Sequence, residues 1–350
     1  MKTVAVNASH KYNIIIENSL LEKAGTICAD TIGICKGVII TDSNVDKLYS
    51  KTLEKSLAAS GYEISKFVFE AGEKSKNSQT LISIVEFLAE KGLTRSDCIF
   101  ALGGGVVGDI AGFAAAIYMR GIRFVQIPTT LLAAVDSSVG GKTAVDLAAG
   151  KNLVGAFHQP SLVICDYSLF DTLSPEIFAD GCAEAIKYGV INDKPLFDLM
   201  NDTIHENLEE IIASCVLNKA RIVECDEFDT GKRQLLNLGH TVGHAIEKLS
   251  EFSISHGSAV AIGMVIVMRA AVRLGYCDEE ALHNLILLLQ KTNLPTDCSY
   301  TASELASAAL ADKKRKGDTI TLAIPYGIGD TRLTDMPITD LESFIEKGLR

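Results

Sequence analysis

Proline is scarce in this 350-residue chain, at 7 residues, and neither a low-complexity tract nor an internal repeat is visible. With 47% hydrophobic residues, nothing in the composition opposes a large buried core. Long apolar runs are also missing. The longest, AVAIGMVIVM (259–268), stops at Arg269, well short of the roughly 17–25 residues that span a bilayer. The N-terminal MKTVAVNASHKYNIII alternates like a strand and has no signal-peptide apolar block or cleavage site, so a cytoplasmic location is expected. The nine cysteines include no CxxC pair. An odd, scattered set suits a reducing compartment, with thiols that mostly fill space. Positive charge is short too. A net charge of −11 argues against nucleic acid or an anionic membrane as partner. An anionic small molecule remains admissible, provided that its countercharge is gathered locally.

What is present falls into two styles. Strand-like KGVIITD, KFVFEAG, DCIFALGGG and FVQIPTT alternate with helix-like VDKLYSKTLEKSLAASG and SQTLISIVEFLAEKG, an order that predicts a largely parallel, Rossmann-like α/β sheet. From LSPEIFADG (173–181) onward, helical periods dominate, apart from a late pair, TITLAIP and DTRLTDM, joined by a Gly-rich turn. The length suits two domains, so an α/β domain is expected over 1–173 and a mainly α-helical one over 174–350.

GGGVVGD follows a strand and opens a helix, and Gly103, Gly105 and Gly108 satisfy GxGxxG. Glycines there allow a pyrophosphate to approach helix-start N–H groups. The acidic residue expected about 20 positions later is absent from MRGIRFV. Asp42 and Asn44, at the end of an earlier strand, could take its place or merely cap a helix. Glu73 and Lys76 end the next strand. GGKT (140–143) is not a P-loop, because position 136 is Asp where that motif needs Gly.

Lys142, Lys151 and Lys187 stand among glycines and small residues, a setting for binding loops rather than amphipathic faces. With Asn152, Arg120, Lys219, Arg233 and the run DKKRK (312–316) they could assemble a local anion pocket. His240 and His244 are spaced to share a helix face, and His256 heads the apolar run. The zinc-protease motif wants Glu after the first His, where Thr241 stands. Glu184, in Gly/Ala-rich DGCAEAIKYG, is a plausible third ligand for a site that needs three. Spacing alone leaves the histidines' roles open.

TDSNV, AGEKSKN, LGGGVVGDIAGFAAAIYMRG, QIPTTLLAAVDSSVGGKTAVD, GKNLVGAFHQP, ADGCAEAIKYG, RQLLNLGHTVGHAIE and SHGSAVAIGM together resemble the 3-dehydroquinate synthase family of sugar phosphate cyclases over nearly the whole chain. The resemblance implies a homodimeric enzyme dependent on NAD and on Zn²⁺ or Co²⁺. It would convert 3-deoxy-D-arabino-heptulosonate 7-phosphate to 3-dehydroquinate and phosphate, a shikimate-pathway step. The route is transient oxidation, phosphate elimination, re-reduction and intramolecular aldol closure. It implies Glu184, His240 and His256 as metal ligands. It implies Asp42, Asn44, Glu73, Lys76, Gly104, Gly105, Val106, Asp109, Thr129, Thr130, Leu132, Asp136, Ser137, Lys151 and Thr172 for NAD. For substrate it implies Lys142, Asn152, Lys187, Lys219, Arg233, Asn237, His244 and Lys314 of the Asp312-Lys313-Lys314 motif. Of these, Lys142, Lys187, Lys219, Arg233, Asn237 and His244 would be catalytic, and Arg120 would reach the partner subunit's site. Two positions depart from the family pattern: Ser258 stands where Glu usually follows His-Gly, and Asp146 where Asn is frequent.

Three other readings compete. A metal-dependent NAD alcohol or glycerol dehydrogenase would accumulate NADH and has no need of the anion pocket. A sister cyclase acting on a phosphate ester without a carboxylate would differ at Asn237 and His244. A catalytically dead NAD sensor would have lost a ligand or the pocket.

Overall fold

The computed structural model describes residues 1–310 and 318–349. Lys314 and the rest of the DKKRK run lie outside the described residues. The chain divides into two compact units: Met1–Leu173 with Lys219–Phe228, and Ser174–Asn218 with Asp229–Arg350. Lys219–Phe228 therefore groups with the first unit although it lies beyond residue 173. Local bonds account for this. Glu224 Oε1 accepts from Asn7 N at 2.9 Å, Glu227 Oε2 from Ser9 N at 2.8 Å, and Phe228 packs edge-on against Phe157.

Among the described residues of the first unit, seven strands form one sheet in the order β1-β2-β9-β6-β5-β3-β4. They are β1 (Lys2–Asn7), β2 (Lys11–Glu17), β3 (Lys36–Asp42), β4 (Glu63–Phe69), β5 (Cys98–Gly103), β6 (Arg123–Pro128) and β9 (Leu162–Asp166). Only the β1–β2 pairing is antiparallel. Alternate residues explain why the central strands read as continuous apolar runs. Val38, Ile40, Ile99 and Ala101 pack with Leu81, Ile84 and Ile110 from the helices Ser78–Glu90 and Gly105–Ile117. Ile39, Phe100 and Val125 point the other way and are equally buried, at 0% exposure, so both faces of the sheet are covered. Between β6 and β9 the chain forms a hairpin, β7 (Lys142–Leu147) with β8 (Gly150–Phe157). The Gly-rich segment around Lys142 and Lys151, expected as a loop, is therefore strand.

The second unit is built on the helix His256–Arg273. By length and composition it could cross a membrane, but 72% of it is buried inside the protein, as a core helix apolar on all sides should be. Around it pack the helices Pro175–Asn192, His240–Leu249, Glu279–Lys291 and Leu341–Leu349 and the strand β10 (Thr319–Gly327), which pairs with β11 (Asp330–Pro337). Lys187 lies on the Pro175–Asn192 helix, at 1% exposure. This corrects its placement in a binding loop: the neighbouring small residues serve close helix packing, and a Cβ on Gly189 would lie 2.8 Å from Phe197 Cβ. Of the nine cysteines, all free, six are buried, in keeping with space-filling thiols.

Two glycines bring the histidine-bearing helices together. A Cβ on Gly263 would lie 2.1 Å from the Gly239 carbonyl oxygen, and Gly239 itself is left-handed, at φ 76°. Replacing Gly263 with Ala must push one backbone off the other. We expect it to lower the unfolding free energy by about 1–3 kcal/mol, measured by urea titration; an unchanged midpoint would show that the contact is not tight.

Candidate active site

Glu184, His240 and His256 meet within the second unit. Glu184 sits mid-helix at 1% exposure, and its Oε1 lies 3.5 Å from His240 Nε2 and 3.4 Å from His256 Nε2. Its Oε2 lies 2.5 Å from Lys187 Nζ, one helical turn on. The candidate ligand atoms of the three residues all fall within 4.8 Å of one another. A second group, His244, Glu247 and His256, meets the same distance criterion.

The other ring nitrogens of His240 and His256 are engaged as well. His240 Nδ1 donates to the Leu238 carbonyl at 3.1 Å, and His256 Nδ1 faces Glu247 Oε2 at 3.3 Å. In both rings Nε2 is thus the nitrogen turned to Glu184, and a carbonyl or carboxylate at Nδ1 is the kind of outer contact that orients a ligating imidazole. Two imidazoles and one carboxylate make a donor set suited to a catalytic divalent ion, with positions left for substrate. Burial opposes a charge on His256, but hydrogen bonds to Glu184 and Glu247 outweigh it and raise its pKa to about 10, so the two carboxylates favour positive charge on the ring itself. Burial, and next the Lys187 charge, push His240 well below the ordinary histidine value, keeping it a neutral donor.

In the first unit, the expected nucleotide residues collect along one edge of the sheet. Asp42 and Asn44 follow β3, Glu73 and Lys76 follow β4, Gly104, Gly105, Val106 and Asp109 follow β5, Thr129 to Ser137 follow β6, and Thr172 follows β9. From β3 the chain winds outward to β4, and from β5 the other way to β6 and β9. The carboxyl ends of β3 and β5 thus flank the switch point where open α/β sheets bind ligands. Gly104 caps the Gly105–Ile117 helix with no side-chain acceptor on its N–H groups. Beside it, Ser137 Oγ is buried with no hydrogen-bond partner among the described residues, 3.3 Å from where a Cβ on Gly105 would sit. Open helix-start donors and an unused hydroxyl suit a pyrophosphate. Asp42 does cap the following turn, accepting from Asn44 N and Val45 N, but with Oδ1 alone.

The family model described as 3-dehydroquinate synthase N-terminal matches residues 66–180, and that described as 3-dehydroquinate synthase C-terminal matches 181–315. A 3-dehydroquinate synthase from Clostridium acetobutylicum is 44% identical over 338 residues, covering 94% of this chain and 95% of the relative. The chain belongs to the 3-dehydroquinate synthase family. A solved 2-deoxy-scyllo-inosose synthase, complexed with carbaglucose-6-phosphate, NAD⁺ and Co²⁺, is 27% identical with a TM-score of 0.89 over 99% of this chain and all of that one. An NADH-dependent butanol dehydrogenase from Thermotoga maritima shares the fold, with a TM-score of 0.68 at 14% identity over 96% of each chain.

The charged residues expected to serve a 3-dehydroquinate synthase are placed unevenly. Lys76 is buried between Asp109 Oδ2 and Asn152 Oδ1, each 2.6 Å away. Burial raises the Asp109 carboxyl above its ordinary value, against the pull of Lys76. Lys219 lies 3.0 Å from Asp136 Oδ1 and donates to the Asp136 carbonyl at 2.7 Å. Lys151 pairs with Glu73 at 3.5 Å. Asn152 has a left-handed backbone, at φ 55°, whose N–H donates to Asp146 Oδ1 at 2.7 Å. The second departure from the family pattern therefore keeps an acceptor where Asn would offer one. Arg233 is 2% exposed in the turn Lys232–Asn237, which also carries Asn237 and packs on β10 and β11. Lys142 and Arg120 are exposed, and Arg120 is left-handed, at φ 68°. Glu247 was not singled out from the sequence. Its spacing of three from His244, on the same helix face, is the signal that could have found it.

Removing Glu184, His240 or His256 by Ala substitution should abolish binding of one equivalent of Zn²⁺, followed by metal analysis after dialysis, whereas His244→Ala should retain it. Equal loss in His244→Ala would favour the second cluster. Glu247→Gln should keep the metal but weaken it by about 10–100-fold in chelator competition; undiminished affinity would remove Glu247 from the site.

Proposed function

We propose that the protein converts 3-deoxy-D-arabino-heptulosonate 7-phosphate to 3-dehydroquinate and phosphate, with NAD and Zn²⁺ or Co²⁺ as resident cofactors. The observation that carries this is the Glu184, His240 and His256 donor set with Lys187 against it, in a chain of this family. The 2-deoxy-scyllo-inosose synthase that holds NAD⁺ and Co²⁺ supports the cofactors. In this reading the first unit binds the nucleotide through the residues at its strand ends, and the second holds the metal and much of the substrate. A cytoplasmic homodimer, Arg120 at the neighbour's phosphate and a place in aromatic amino-acid synthesis are part of the same proposal and rest on the resemblance.

When bound, NAD⁺ supplies a hydride acceptor that later returns its hydride, and the divalent ion supplies Lewis-acid polarisation of a substrate hydroxyl. The chain's own residues do the holding. Lys187, Lys219 and Arg233 are cations at 1%, 6% and 2% exposure, and buried cations of this kind are rare unless paired or used. In this reading Lys142, Asn152 and Lys219 of the first unit, Lys187, Arg233 and Asn237 of the second, and Lys314 serve the substrate's carboxylate and phosphate. A substrate held at both ends presents the same face to each step in turn, which lowers the entropic cost of every one. His244, with its ring centroid 5.5 Å from that of His240 and 6.1 Å from that of His256, stands where it can orient a hydroxyl or relay a proton.

The test is to supply the heptulosonate phosphate with catalytic NAD⁺ and Zn²⁺ and to follow phosphate and NADH together. Stoichiometric phosphate without accumulating NADH is expected, because the redox steps cancel. Steady NADH growth without phosphate would instead establish the dehydrogenase reading.

A further inference from the structure

The helix that begins with His256 has an unusual start. Ser255 is its N-cap, with backbone φ −66° and ψ 160°, yet its side chain caps none of the helix's own N–H groups. In a capping box, the N-cap hydroxyl takes the N–H three residues on, and a Glu at that third position reaches back. Here the third position is Ser258, too short to reach back. The work has moved to another helix. Asp180 Oδ1 accepts from Ser258 N at 3.2 Å and from Ser255 Oγ at 2.6 Å, while the two serine hydroxyls are bonded to each other at 2.9 Å. One carboxylate oxygen thus meets an orphaned N–H and its anion sits at the positive end of the helix.

Asp180 and Glu184 are four apart on the helix Pro175–Asn192 and share a face. The two backbones also touch at this level. A Cβ on Gly257 would lie 2.3 Å from Asp180 Cα and 2.5 Å from its carbonyl oxygen. Glu184 and His256 therefore come from two helices that are pinned together one turn from the first and one residue from the second.

We propose that Asp180 is a positioning residue of the metal centre: it supplies from the Glu184 helix the carboxylate cap that the His256 helix lacks at Ser258, and so locks the spacing of the two ligands. This rests on the assignment of Glu184, His240 and His256 as the metal site. It gives Ser258 a physical meaning, because the carboxylate missing from position 258 is present at 180.

The full-length protein, stripped with a chelator, is titrated with Zn²⁺ against a chromophoric competitor, and the Co²⁺ form is examined by its visible absorption. Asp180→Ala should weaken Zn²⁺ by about tenfold or more and change the Co²⁺ spectrum, while Asp180→Asn, which keeps the acceptor oxygen, should stay within about threefold. Adding Ser258→Glu to Asp180→Ala should recover most of the lost affinity by restoring a capping box. A merely space-filling role would show no such rescue. If Asp180→Ala does not fold, Ser255→Ala, which removes one donor to the same oxygen, carries the comparison; full retention of affinity there overturns the proposal. Asp180→Ala binding as well as wild type, while Glu184→Gln does not bind, overturns the proposal and leaves the metal assignment intact. Wild type and Glu184→Gln binding equally would remove the metal assignment, and this proposal with it.

Discussion

A carboxylate at 1% exposure in a helix of small apolar residues is a liability unless something meets its charge, and Glu184 is in that position. Leaving such a group uncompensated costs several kcal/mol. The second unit is arranged around the compensation. Lys187 comes from the next turn of the same helix, and two imidazole Nε2 atoms come from two further helices. Those helices reach Glu184 only because glycines let their backbones close up, at Gly239 with Gly263 and at Gly257 with Asp180. The packing that keeps the unit folded is therefore the packing that brings Glu184, His240 and His256 together, and a substitution at those glycines would disturb that cluster even though none of the three is altered.

The first unit answers a different constraint. Its strands are buried on both faces, so polar residues can gather only where the strands stop, and the carboxyl edge is where Asp42, Gly104, Thr129 and their neighbours lie. Charge on that edge is already balanced within the protein, with Lys76 against Asp109, Lys219 against Asp136 and Lys151 against Glu73. A chain with net charge −11 can in this way hold cations inside its fold, each beside a carboxylate. The cations are local, mostly shielded, and paired with carboxylates near enough to keep their ammonium groups oriented.

Much of this architecture was legible in the sequence, for identifiable reasons. Apolar runs such as VIITD and CIFALG, bounded by glycines and polar turns, can be little else but buried parallel strands, and the helical periods after 173 are long enough to be read directly. The β7–β8 hairpin was not legible. Its glycines and the exposed run around Leu153 and Val154 break the alternation that marks a strand. Lys187 was misplaced for a related reason: small residues around a charge can signal a loop or a tightly packed helix, and only the packing decides. The choice of His240 and His256 as candidate ligands came from the resemblance, since spacing made His240 and His244 equivalent. In the structure His240 Nε2 lies 3.5 Å from Glu184 Oε1, and a sequence does not carry that contact.

His256, proposed above as a ligand, is held from two sides. Its ring is held at Nδ1 by Glu247 from the His240 helix, and the first turn of its own helix is held by Asp180 from the Glu184 helix. Each outer carboxylate thus originates on a helix that also carries another member of the cluster, Glu247 with His240 and Asp180 with Glu184. A shift of either neighbouring helix would move His256 along with that helix's own member of the cluster, so the three side chains tend to move as a set rather than separately. Such coupling would suit the metal centre proposed above, which has to keep its geometry while a substrate binds. It also explains why neither outer carboxylate stood out in the sequence: Asp180 acts across 78 residues on Ser258, and Glu247 across 9 on His256. Their meaning appears only where three helices meet.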